Sequence, residues 1–270
     1  MPRVTYYEDV KVIKKPLKQR LKQVLKIFLI LVLIVGCFLG GKYLSRALTV
    51  GNLGALIVYG DTKLTIKERT FYAVTMGEYD NKEDAERVAM GASIQGAGGY
   101  VWEGEKYFVV GNIYLAEKDA ESVVTNLKES QYSIGIMSIH MPRVVLDYSM
   151  YDNSDMGLVH NVYNIFGKVY EKLYGYSISF DKGEVSHLAV SSNISSLRGE
   201  VKSLIVSAQN LINKQDSSLS SVQQYLVKLD EVLDQAILKT IDNSSTNYSL
   251  KYALTNVVRL EYELLHKLSQ

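Results

Sequence analysis

Cysteine is nearly absent from this chain of 270 residues, because Cys37 is the only one. A single cysteine excludes a disulfide within the chain. The four histidines are scattered over the second half of the sequence, and with one thiol they argue against a structural zinc site. We therefore expect neither a metal nor another cofactor.

Net charge is also small, with 30 Lys and Arg residues against 29 Asp and Glu residues. The distribution is uneven, because residues 1–26 carry eight cations and two acids, which leaves the remaining 244 residues with a formal charge of −5. A body with an excess of negative charge does not attract the phosphate backbone of DNA or RNA. We therefore expect no nucleic-acid partner.

An apolar run near the N-terminus, IFLILVLIVGCFL at 27–39, contains no charged residue. We predict a transmembrane helix over 24–44, since about 20 apolar residues span the hydrocarbon core of a membrane. Residues 1–23 then form a basic cytoplasmic tail, and the later domains of this single-pass protein lie outside the cell membrane. Two alternatives remain open: a lipoprotein cleavage motif that ends at Cys37, and a cleaved secretory signal.

A tandem repeat follows a linker that we predict over 45–69. The segment DAERV at 84–88 is echoed by DAESV at 119–123, and each follows an apolar stretch with a glycine turn. Each half is typical of a strand, a glycine turn, a helix and a strand. Two such halves predict a βαββαβ domain over 70–141, with a four-stranded antiparallel sheet and two helices on one face.

The repeat resembles the SPOR (sporulation-related repeat) domain, a bacterial peptidoglycan-binding module. The resemblance rests on VTMGEYDN at 74–81, on DAE at 84–86, and on VG at 110–111 followed by a second DAE. It implies binding to septal glycan strands that lack stem peptides, and therefore a role at division or sporulation septa. The arrangement is similar to that of membrane-anchored sporulation proteins that reach the septum through such a domain.

Candidate glycan-binding residues follow from the alternation of side chains along the strands. The family often has Gln and Arg where this chain has Thr75 and Val109. If Val74, Met76, Phe108 and Val110 pack under the helices, alternation leaves the other side chains on an open face. The candidates are Phe71, Thr75, Trp102, Tyr107 and Val109. The alternative is that so apolar a face is covered by another part of the chain or by a partner.

Helical periodicity begins after Pro142, where apolar residues recur at spacings of three and four in four stripes. We predict an all-α helical bundle over 142–270. Together with the SPOR resemblance, this bundle implies contacts with septal or sporulation proteins. The same spacing also permits a self-associating coiled coil, and hence a homo-oligomer.

Catalytic motifs are not found. The glycine cluster at 96–99 lacks the Lys-Ser/Thr of a phosphate-binding loop and ends a helix, which indicates a turn. We therefore predict an α+β fold class with a single N-terminal transmembrane helix, one sheet domain and an all-α bundle. The predicted function is that of a non-enzymatic, membrane-anchored envelope protein that binds septal peptidoglycan. A structural assembly protein that uses the sheet face and the bundle for protein contacts is the alternative, and a wall hydrolase is the third hypothesis.

Overall fold

The computed structural model describes residues 57–59, 63–127, 132–149, 151, 153–212 and 217–270. Within these residues the first elements along the chain are β1 (Ile57–Tyr59), β2 (Lys63–Ile66), β3 (Arg69–Tyr79), α1 (Lys82–Ile94), β4 (Tyr100–Glu103), β5 (Tyr107–Tyr114), α2 (Glu117–Asn126), β6 (Gly135–Met141) and β7 (Val144–Asp147). Four long helices follow: α3 (Asn153–Asp181), α4 (His187–Ile212), α5 (Ser217–Lys239) and α6 (Asn243–Leu268).

The tandem repeat folds as a four-stranded antiparallel sheet in the order β4-β5-β3-β6. Helix α1 packs on β3, β4 and β5, whereas α2 packs on β3, β5 and β6. Helix α1 begins after Asn81, whose side chain accepts a hydrogen bond from the backbone nitrogen of Asp84 at 2.9 Å. This cap satisfies a backbone donor that has no partner within the first helical turn.

A second antiparallel sheet, with the strand order β1-β2-β7, corrects the prediction of a single sheet. Strands β1 and β2 lie in the predicted linker 45–69, and β7 lies at the start of the predicted helical region 142–270. The sheet buries Leu64, Ile66 and Val144, which are at most 3% exposed. Strands of three or four residues place only one or two side chains on each face, so their alternation is too short to read in a sequence.

The transmembrane helix predicted over 24–44 and the basic tail predicted over 1–23 lie outside the described residues. Among the helices that the structure describes, none is both long enough and apolar enough to cross a membrane. The predicted fold class, which joined such a helix to one sheet and a bundle, is therefore wrong for the described part, which is α+β with six helices and two small sheets. Its long helices are amphipathic, with an apolar stripe on one side and polar residues on the other.

Helices α3 to α6 form a four-helix bundle, in which consecutive helices pack together and α3 also packs on α6. Apolar stripes fill its interior, and their buried members include Leu173, Ile194, Leu226, Leu229 and Leu254. Arg198 on α4 also joins Asp230 on α5, with 2.7 Å between the Arg Nε and the Asp Oδ1 atoms. Helix α6 extends the packing beyond the bundle, because it contacts β4, β5 and β6 of the larger sheet.

Candidate binding site at the junction of sheet and bundle

A glycine-rich turn between α1 and β4 brings the backbone of α6 close to the sheet. At Gly98, an added Cβ would lie 3.1 Å from the carbonyl carbon of Lys251 and 3.1 Å from the backbone nitrogen of Tyr252. The side chain of Lys251 donates a hydrogen bond to the Gly96 carbonyl at 3.0 Å. The cluster at 96–99 therefore ends α1 and also lets the backbone of α6 pack closely against the turn.

Charged groups hold the same interface farther along α6. Glu261 forms a salt bridge with Arg69 of β3, and the two side chains are only 8% and 9% exposed. Arg259 donates a hydrogen bond from Nη1 to the Glu103 carbonyl at 2.9 Å. Its guanidinium also lies 4.8 Å from the ring centroid of Trp102, which is a cation–π contact.

Three of the five predicted glycan-binding residues lie on the sheet face that the bundle covers. The ring of Phe71 packs against Tyr170 of α3 with 5.0 Å between centroids, and that of Trp102 packs against Tyr262 of α6 at 5.7 Å. Thr75 shares the face of Phe71 by alternation and is 6% exposed. The structure therefore gives these three side chains a packing role.

The other two predicted residues, Tyr107 and Val109, lie on the opposite face. Val109 belongs to a buried cluster with Met76 and alanines of α1, and Tyr107 packs against that cluster. The reason is a β-bulge: Ala73 pairs with Ile113, but Thr75 pairs with Val110, because β5 carries one extra residue between them. A bulge reverses the alternation of the strand beyond it. The five candidates are therefore divided between two faces.

An open groove lies beside the covered face, between α1, β4 and α6. Its central cavity has a volume of about 430 Å³. Tyr100, Tyr248 and Tyr252 contribute aromatic rings to its wall, and the centroids of Tyr100 and Tyr252 are 5.1 Å apart. Lys239, at the end of α5, places its ammonium 5.0 Å from the ring centroid of Tyr252.

Two further cavities adjoin the central one. A cavity of about 480 Å³ between α5 and α6 shares Lys239 and Tyr252 with it. A cavity of about 550 Å³ at the end of α1 and the start of α6 shares Met90, Ser93 and Tyr248. We call the three together the junction groove. Because neighbouring cavities share lining residues, the three follow one another along α6.

Charges around the central cavity are balanced. Lys82 and Glu103 form an ion pair at 2.7 Å, and the hydrogen bond between them raises the pKa of Lys82 and lowers that of Glu103. Burial, followed by the effect of neighbouring Tyr252, raises the pKa of Tyr100 to about 12, so its hydroxyl stays protonated. The groove thus offers neutral aromatic rings, hydroxyl groups and charges of both signs.

The groove was not identified from the sequence, because its walls come from segments about 150 residues apart. Two signals point to it in retrospect. Tyr248 and Tyr252 stand four residues apart and so share one face of α6. The glycine cluster also marks a place where a second backbone approaches closely. Neither signal specifies which helix meets which turn.

Metal-binding clusters of three or more His, Cys, Asp or Glu side chains are not found in the portion that the structure describes. No protein-family model matches this chain, and no match is found among curated proteins or solved structures.

Proposed function

We propose that this protein is a non-enzymatic component of the bacterial cell envelope that binds peptidoglycan glycan strands at division or sporulation septa. The observation that carries the proposal is the tandem repeat itself, whose two halves form β3-α1-β4 and β5-α2-β6 of one sheet. This is the segment in which the residues resemble the SPOR domain. The proposed envelope location rests on the sequence, in which basic residues precede the uncharged run at 27–39.

Packing at the junction restricts how such binding takes place. Phe71 and Trp102 are 0% and 6% exposed, so a glycan reaches them only if the bundle leaves the sheet. Moving the bundle would expose the buried Arg69–Glu261 ion pair and apolar surface on both partners. We therefore propose that the sheet and the bundle stay packed together when the protein binds a glycan.

Co-sedimentation with purified sacculi tests the proposed function. The full chain is incubated with sacculi, with sacculi stripped of stem peptides by an amidase, and with cellulose as an unrelated polysaccharide. We expect saturable binding that increases on stripping, with no release of soluble muropeptides. No enrichment over cellulose would contradict glycan recognition, whereas muropeptide release would support the hydrolase hypothesis instead.

A structural assembly role is the second candidate function. Two apolar side chains of the bundle helix α4, Leu188 and Val206, are 67% and 66% exposed. The two residues are 18 positions apart on α4, which is five helical turns, so they lie on one side of the helix and a partner along it, such as a second copy of the chain, would contact both. Sedimentation velocity of the wild type and of Val206→Lys tests self-association. A concentration-dependent oligomer that the substitution dissociates would support this role, and a monomer in both samples would contradict homo-oligomerisation.

A further inference from the structure

We propose that the junction groove is the glycan site, and that it takes an extended saccharide chain along α6. This inference rests on the proposed function and moves the ligand away from the covered sheet face. The observation behind it is the combination of aromatic rings, polar side chains and elongated shape in one surface feature.

Aromatic surface is the first element of the argument. Tyr100, Tyr248 and Tyr252 are half-buried, so each presents part of its ring in the groove while the rest is held by packing. Flat rings that are fixed in this way bind the apolar C–H faces of sugar rings at low entropic cost. On the covered sheet face, by contrast, Phe71 and Trp102 have their rings packed against tyrosines of the bundle.

Polar groups along the rim supply the second element. Lys82, Glu86 and Ser93 of α1 lie on one side of the central cavity, and Lys239 lies on the other. These side chains provide both donors and acceptors, which sugar hydroxyl and amide groups require. The two lysines are accompanied by Glu86 and Glu103, so the groove lacks the uniform positive charge that binds a nucleic acid. A glycan strand without stem peptides carries one lactyl carboxylate per disaccharide, and this sparse charge suits a groove with charges of both signs better than the dense charge of a nucleic acid does.

Shape is the third element. The adjoining cavities share lining residues with the central one on both sides, and the lining follows α6 from Ser244 past Tyr252 to Leu260. A row of neighbouring cavities along one helix suits successive units of a polymer. A compact metabolite would instead favour an enclosed pocket, which buries most of the ligand surface.

Preorganisation is the fourth element. Tyr252 is held by contact with Tyr100 and with the Lys239 ammonium, and its backbone lies directly against Gly98. Lys251 anchors the same turn of α6 to the Gly96 carbonyl. The fold therefore holds the groove walls in place, so their side chains lose little conformational freedom when a ligand binds.

The test compares single substitutions in the full chain, using amidase-stripped sacculi as the probe. Tyr248→Ala and Tyr252→Ala remove aromatic surface, and Tyr248→Phe keeps the ring. The matched control is Tyr176→Ala, which removes a half-buried tyrosine of α3 outside the groove. Circular dichroism at 222 nm identifies variants that retain the fold, and Tyr248→Ala is informative even if Tyr252→Ala unfolds.

We expect Tyr248→Ala to weaken sacculus binding about tenfold, which corresponds to one lost aromatic contact. Tyr248→Phe and Tyr176→Ala should bind like the wild type. If the wild type binds and the folded alanine variants bind equally well, the groove assignment is overturned while the proposed function stands. If the wild type itself does not bind sacculi, both fail.

Discussion

Arg69 and Glu261 form an ion pair in which each side chain is less than a tenth exposed, and which joins β3 to α6. Glu261→Gln leaves the guanidinium buried without its countercharge. We expect this substitution to lower the free energy of unfolding by about 3–5 kcal/mol, because an unpaired buried charge keeps its desolvation cost. Urea unfolding followed by circular dichroism measures the change.

An exposed ion pair provides the matched control. The Lys106 Nζ and Glu78 Oε1 atoms are 2.5 Å apart, and the two side chains are 50% and 47% exposed. Glu78→Gln should change stability far less, because water screens the interaction of an exposed pair. The double variant Arg69→Met/Glu261→Leu should recover most of the loss, since an apolar pair removes the buried charge. Equal effects of the two Glu→Gln substitutions would contradict the packing described for α6.

Asp242 makes the start of α6 sensitive to pH. Its carboxylate accepts hydrogen bonds from Ser244 and Ser245, which lower its pKa from 3.8 to about 2. Because the folded pKa lies below the unfolded one, the stabilisation is present above 3.8 and is lost as the pH falls toward about 2. Asp242→Asn keeps an acceptor but does not titrate.

As the pH is lowered from 3.8 to about 2, the urea midpoint of the wild type should therefore approach that of Asp242→Asn. The comparison cancels the other carboxylates, which titrate in both proteins. Parallel pH curves for the two proteins would mean that the cap does not shift the pKa of this residue.

At the level of single residues, strand alternation assigned the candidate side chains only in part. It placed Phe71 and Thr75 on the same face. The structure agrees, because the two residues are an even number of positions apart in β3. It failed for Tyr107 and Val109, because the bulge between Ile113 and Val110 reverses the order of faces in β5. A sequence pattern carries no mark of one extra residue in a strand, so the faces beyond a bulge cannot be read from it.

Among the elements, the turn at 96–99 sets how closely α6 approaches the sheet. Gly98→Ala would place its Cβ 3.0 Å from the Gly111 carbonyl oxygen and 3.1 Å from two backbone atoms of α6. Backbone atoms cannot move aside as a flexible side chain does. We expect a loss of about 1–3 kcal/mol, measured by urea unfolding, as for other insertions into packed regions.

Gly175→Ala in α3 is the control for the substitution itself. Apart from the neighbouring residues and the backbone of the same helix, no atom lies within 4 Å of the added Cβ there. This variant should gain about 0.5–1 kcal/mol, because alanine loses less backbone entropy than glycine on helix formation. If Gly98→Ala were equally stabilising, α6 could not be seated as closely as described.

The sequence predicted which segments form helices better than it predicted which strands pair with one another. The repeat at 84–88 and 119–123 and the apolar stripes after 142 follow the periods of helices, and helices lie there. The sequence assigned β1 and β2 to a linker and β7 to the helical region, because each strand contains only three or four residues. The pairing of β2 with β7 joins segments about 80 residues apart, which local patterns do not encode.

For the whole molecule, the sheet and the bundle belong to one compact unit, residues 52–270, and should unfold together. Trp102 is the only tryptophan and lies between the sheet and α6, so its fluorescence reports on the junction. Leu229 is 0% exposed in the bundle interior. Leu229→Ala should lower stability by about 2–5 kcal/mol, and should shift the fluorescence and circular dichroism transitions equally.

Two separate transitions would instead indicate a bundle that folds on its own. In that case Leu229→Ala would shift the helical signal and leave the Trp102 signal unchanged. The sequence could not decide between these outcomes, because the residues of α6 that contact the sheet include Lys251, Arg259 and Glu261, which are charged and which a helical pattern therefore assigns to solvent. Helix α6 packs against both the bundle and the sheet, whereas its periodicity predicts only one packing face.

The pairing of β2 with β7 has a mechanical consequence. The chain enters the four-stranded sheet directly after β2 and leaves it directly before β7, and Lys63 lies opposite Asp147 at the outer end of the pair. Tension applied to the chain before β1 and after β7 first separates β1 from β2, because Ile57 lies opposite Ile66, and then opens the pair of β2 and β7 from Lys63 one hydrogen bond at a time. While the pair holds, the load passes across it and bypasses the strands and helices between 69 and 141.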